Sequence, residues 1–115
     1  MLQEKTKIFK ALSDPNRLRI LKMLQDKTLC VCEIRAILKL ATSTVSSHLS
    51  ILKDSGFILE EKDGKWVNYK LNPHPGDHTV ANVLSNIPFW LEGDEIVTKD
   101  INACKTVDRN KICCK

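Results

Sequence analysis

The chain has 115 residues, 43% hydrophobic and 28% charged, ordinary values for a soluble globular protein, enough for one compact domain and too few for two. Its net charge of +4 permits nucleic-acid binding without demanding it, and the excess lies in residues 1–91, because residues 92–115 hold 5 basic and 5 acidic side chains. No apolar run reaches the ~18 residues of a membrane span, and Met1–Lys5 lacks the charged-then-apolar design of a secretory signal, so a cytoplasmic protein with its five cysteines as thiols is expected.

Residues 3–12 read as a first helix, with Ile8, Phe9, Ala11 and Leu12 apolar. Ser13-Asp14-Pro15 is a break and restart, a capping residue followed by proline in the first helical turn. A second helix runs to about Gln25 on a stripe of Leu18, Ile20, Leu21 and Leu24, and a third starts near Cys30 with Ile34, Ile37 and Leu38 inward. After the turn at Leu40-Ala41-Thr42, a fourth helix spans roughly Ser43 to Asp54, burying Val45, Leu49 and Leu52, and Gly56 ends it.

Two extended segments follow, residues 57–62 and 65–71, joined by Asp63-Gly64 as a two-residue hairpin turn. Asn72-Pro73-His74-Pro75-Gly76 breaks the sheet, and residues 77–91 read as a fifth helix with Val80, Val83, Leu84 and Ile87 apolar. Beyond Glu92-Gly93 the chain looks polar and irregular. The expected architecture is mainly α with a small β-hairpin: a winged helix-turn-helix of five helices plus a two-stranded wing over residues 1–92, with residues 93–115 as a flexible, cysteine-containing C-terminal tail.

Two stretches carry chemistry. Cys30-Val31-Cys32 places two soft thiols at the start of helix three. Ser43, Thr44, Ser46, Ser47 and His48 place hydroxyls and an imidazole in the first turns of helix four, able to meet phosphates or base edges in a major groove. Lys62 and Lys65 flank the wing turn within reach of backbone phosphate. Duller roles compete: buried core cysteines, Ser43 or Thr42 as a helix cap, His48 packed inward, and a merely solvated hairpin. Trp66 and Tyr69 are expected to pack on the sheet, and His74 and His78 to lie at the surface.

The run from Phe9 to Leu21, the Cys30-Val31-Cys32 segment, Ser43-Thr44-Val45-Ser46-Ser47-His48-Leu49, Leu52, Gly56 and the wing from Lys62 to Leu71 together resemble the ArsR/SmtB-type winged-helix metalloregulators, and the paired cysteines resemble the arsenic- and cadmium-sensing branch. The resemblance covers residues 8–71 well, helix five by position, and the tail hardly at all. It implies a homodimer, joined by its first and last helices, that binds double-stranded operator DNA, represses a resistance operon and leaves DNA when metal binds. A third cysteine common in arsenic sensors of the family is replaced here by Arg35, and the basic residue that often precedes the recognition-helix histidine is Ser47. Asp77 and His78 match half of a zinc set in the last helix, with no second histidine to complete it.

Trivalent arsenic and antimony are thiophilic and suit a trigonal set of three sulfurs, so the expected inducer is As(III) or Sb(III), with no constitutive cofactor. Cys30 and Cys32 supply two sulfurs. They diverge on an ideal helix, where residues i and i+2 lie roughly 200° apart, so capture should distort the first turn of helix three, whose N-terminus should also favour thiolate. For Cys104, Cys113 and Cys114 three schemes stay open: one of them completes the Cys30/Cys32 site, the three form a site of their own, or the tail is accessory. A cadmium- or lead-responsive repressor and a thiol-redox switch are the nearest alternatives. A thiol enzyme is disfavoured: Cys30 and Arg35 have four intervening residues rather than the five of an oxyanion-cradling loop, and there is no CxxC pair.

Overall fold

The computed structural model describes residues 1–108. Among the described residues six α-helices surround one core: α1 (Leu2–Ala11), α2 (Pro15–Leu24), α3 (Val31–Leu38), α4 (Thr42–Asp54), α5 (His78–Asn86) and α6 (Glu95–Thr106), with a 3-10 turn at Ile87–Phe89. The strands β1 (Leu29–Cys30), β2 (Ile58–Asp63) and β3 (Trp66–Leu71) form one antiparallel sheet in the order β1-β3-β2. This is the expected mainly helical winged helix-turn-helix, with one more helix and one more strand than the sequence pattern predicts.

Local chemistry explains most boundaries. Asp14 caps α2, its carboxylate accepting from the Asn16 and Arg17 N–H groups, and Pro15 occupies the first helical position, where no N–H is needed. α4 ends in a Schellman arrangement: the Phe57 N–H donates to Leu52 O and the Gly56 N–H to Lys53 O, with Gly56 at φ +90°. α3 and α4 are joined by three residues, the first of which, Lys39, takes the left-handed conformation. Ile20, Leu21, Ile34, Val45, Leu49, Leu52, Phe57 and Ile58 are buried together and clamp this pair of helices to α2 and the sheet.

Three sequence expectations are corrected. The wing turn is Gly64-Lys65 rather than Asp63-Gly64, because Asp63 pairs with Trp66 and only Gly64 carries a positive φ; glycine at the first central position suits the mirror-image turn that matches strand twist. The wing gains β1, in which Leu29 faces Tyr69 and Cys30 faces Asn68. The segment after Gly93 is not irregular as far as residue 106: α6 docks on α2 and α3. Asp94 caps it by accepting from the Val97 N–H, Val97, Asp100 and Cys104 form its buried face, and Arg19 grips Asp100 through two hydrogen bonds of 2.8 and 2.9 Å. Lys27 donates to Cys104 O at 2.6 Å, a cation on the helix's C-terminal carbonyls. No helix among the described residues is long and apolar enough to cross a membrane.

Candidate nucleic-acid interface and thiol site

On α4 the sequence sorts by face. Val45, Leu49 and Leu52 are buried at helical spacing, while Ser43, Thr44, Ser46 and Ser47 are all exposed and His48 is half-buried at the boundary. Neither Ser43 nor Thr42 caps the helix: the N-cap is Ala41, without a side-chain hydrogen bond. The first-turn N–H groups of α4 therefore join its exposed hydroxyls as donors suited to phosphate. His48 is not packed into the core; its Nδ1 lies 3.2 Å from an Arg17 guanidinium nitrogen.

The wing extends beside this helix. Lys62 and Lys65 are exposed, and Lys65 Nζ sits 5.0 Å from the centre of the Trp66 ring. Tyr69 packs against the core, and His74 and His78 are exposed, as expected. Asp77 caps α5, accepting from the Thr79 and Val80 N–H groups, and meets Lys5 at 2.7 Å. Its oxygens are thus occupied within the fold.

The thiols sit at a junction rather than on an intact helix. Cys30 is the last residue of β1 and the N-cap of α3, extended at φ −94° and ψ 170°, and Cys32 is the second residue of the helix. Glu33 and Cys30 form a reciprocal cap: Glu33 Oε1 accepts the Cys30 N–H at 2.9 Å while the Glu33 N–H faces the Cys30 sulfur. The Cys-x-x-Glu spacing is the sequence signal for this pairing, with cysteine in the place usual for serine or threonine. Contrary to the helix-dipole expectation, the Cys30 thiol is pushed above its ordinary value: burial dominates, the Glu33 N–H pulls the other way, and the Glu33 carboxylate adds to the rise.

Cys104 is buried on α6, beside a cavity of about 150 Å³ lined by Met23, Asp26, Lys27, Ile101 and Lys105. Burial raises its thiol to about 11, opposed by Lys27 and reinforced by Asp100, Glu33 and Asp26. Cys30 and Cys104 are free thiols, whereas Cys32 is disulfide-bonded. Among the described residues no three His, Cys, Asp or Glu side chains are arranged to hold a metal ion. Cys113 and Cys114 lie outside the described residues. Sequence reasoning missed Arg17, Glu33 and Lys27 as neighbours of these groups. Arg17 touches a residue 31 positions away and Lys27 one 77 positions away, and only Glu33 has a local signature.

Comparison with known proteins agrees with this geometry. The family model described as "Bacterial regulatory protein, arsR family" matches residues 14–59. The chain is 32% identical over 111 residues to the arsenic resistance transcriptional regulator ArsR2 of Pseudomonas putida, covering 93% of this chain and 95% of that protein. It is 43% identical over 68 residues to the arsenical resistance operon repressor of Escherichia coli, covering 58% of each. It is also 43% identical over 67 residues to a cadmium resistance regulatory protein, a CadC homologue of Staphylococcus aureus, covering 57% of this chain and 55% of that one. Among solved structures, reduced HlyU from Vibrio cholerae superposes with a TM-score of 0.62 at 28% identity, covering 76% of this chain and 90% of that one. A homodimeric winged helix-turn-helix DNA-binding domain from Mycobacterium bovis, at TM-score 0.65 and 22% identity over 82% of this chain and 83% of that one, shares the fold.

Proposed function

The chain belongs to the arsR family of bacterial regulatory proteins, DNA-binding regulators rather than enzymes, and from that premise we propose that it is a repressor that binds operator DNA as a homodimer and releases it when trivalent arsenic or antimony is captured by cysteine thiolates. The exposed hydroxyl face of α4 and the lysines of the wing supply the DNA contacts. Phe9 on α1 and Phe89 after α5 are exposed aromatic side chains on neighbouring elements, and they supply the apolar surface for a second copy.

The observation that carries this reading is the position of Cys30. One residue is at once a strand partner of the wing, through Asn68, and the cap of α3, which packs on α4. Drawing the Cys30 and Cys32 sulfurs onto one soft centre must turn the first residues of α3, and the displacement is shared by both halves of the DNA-binding surface. Cys104, Cys113 and Cys114 are the sources of a third sulfur. Emptying an operator from about 99% to about 1% occupancy takes a differential affinity of about 5.5 kcal/mol, within reach of a site that forms several metal–sulfur bonds.

A labelled-duplex anisotropy titration tests this. Under reducing conditions, Cys30→Ser with Cys32→Ser should leave duplex binding intact and abolish release by arsenite; release that persists in the double variant refutes a sensor built on these two thiols.

A further inference from the structure

Arg17 reaches from α2 to the recognition helix. Its Nε donates to Ala11 O at 2.8 Å and one terminal nitrogen to Lys10 O at 3.2 Å, so the guanidinium is clamped on the last turn of α1. The other terminal nitrogen lies 3.2 Å from His48 Nδ1. A guanidinium has donors only and stays protonated. At this distance Nδ1 must be the acceptor, which leaves the single proton of the neutral imidazole on Nε2, across the ring from Arg17.

We infer that Arg17 is a positioning residue for DNA recognition: it fixes His48 as the Nε2–H tautomer, so that α4 presents a directed donor to an acceptor on DNA, either a phosphate oxygen or a base edge. This rests on α4 being the DNA-reading helix. The neighbouring Ser43, Thr44, Ser46 and Ser47 hydroxyls can each donate or accept by rotating. His48 differs from them because its polarity is set by a partner held on another helix. The contact also ties the end of α1 to the reading face, since the same guanidinium holds both.

The first test needs no variant and no DNA. In a long-range proton–nitrogen correlation spectrum of the labelled full-length protein above neutral pH, His48 Nδ1 should resonate as an unprotonated nitrogen and Nε2 as a protonated one. The opposite assignment overturns the inference. The second test uses a duplex enriched from random sequence by the wild-type protein. His48→Gln carries its amide nitrogen to the Nε2 position and should bind more tightly than His48→Asn, whose shorter amide reaches only the Nδ1 position. The reverse order overturns the inference. Arg17→Met should weaken binding about tenfold, with no further loss when added to His48→Ala; additive losses would mean that Arg17 acts by another route. An equal loss on a scrambled duplex assigns the acceptor to phosphate, and a loss confined to the enriched duplex assigns it to a base edge. A wild-type protein that binds no duplex would overturn the DNA reading itself, whereas a wrong tautomer with intact binding would overturn only the role of Arg17.

Discussion

Removing Asp100 should undock α6. The carboxylate is 5% exposed and accepts two hydrogen bonds from Arg19, which keeps 24% of its own side chain in water. Breaking a fully buried pair by deleting one partner costs about 3–5 kcal/mol. Here the arginine can turn partly back to solvent, so Asp100→Ala should cost about 2–3 kcal/mol. For a chain of this length that is a fall in Tm of roughly 6–15 °C. Urea and thermal melts at fixed protomer concentration, followed by circular dichroism, give the number; holding concentration constant matters because a dimer's stability depends on it. Replacing both partners by apolar groups, Arg19→Met with Asp100→Leu, should recover most of the loss, since neither then leaves an unpaired charge. A loss below about 0.5 kcal/mol for Asp100→Ala, the range of an ordinary surface substitution, would refute the argument. So would a double variant as unstable as the worse single one.

Other expectations follow from the same structure. The Cys104 thiol is raised from 9.0 to about 11, so folding favours its protonated form; that stability is full below pH 9 and is lost as pH rises toward 11. Thermal melts between pH 8 and 11 should therefore fall more steeply for wild type than for Cys104→Val, and parallel curves would contradict the burial argument. Gly64→Ala should cost about 1 kcal/mol in a urea melt, through backbone strain at φ +62° and not through collision, because an added Cβ meets nothing within 4 Å. Lys62→Ala should lower the salt dependence of duplex binding by about one unit in the log–log slope while weakening all sequences alike; an unchanged slope would remove Lys62 from the interface.

What the sequence disclosed was what neighbouring residues decide. Asp14-Pro15 and Gly56 mark helix ends by their own backbone chemistry, and Val45, Leu49 and Leu52 mark the buried face of α4, so the exposed hydroxyls opposite could be read directly. Elements held by distant partners were not legible. β1 is two residues long and exists only because β3 lies beside it. α6 is built on a mostly polar sequence, and its anchors are Arg19, 81 positions from Asp100, and Lys27, 77 positions from Cys104. Local chemistry alone does not place the wing turn, because Asp63-Gly64 and Gly64-Lys65 both put glycine where a positive φ is allowed, and only the pairing of Asp63 with Trp66 decides between them.

The same distinction bears on how the proposed switch would work. Two cysteines in one spiral would point apart, but their thiols would be activated by the helix end. Cys30 instead lies outside the spiral, held on one side by the sheet and on the other by Glu33, in surroundings that keep its sulfur protonated. Capture must then expel a proton, loosen the Glu33 cap and bend the strand-to-helix junction together. Each of these costs falls on contacts that orient α3 and β3, so the free energy of sulfur binding is drawn through the elements that position α4 and the wing. A thiol pair on an exposed loop would bind metalloid as well and would move nothing.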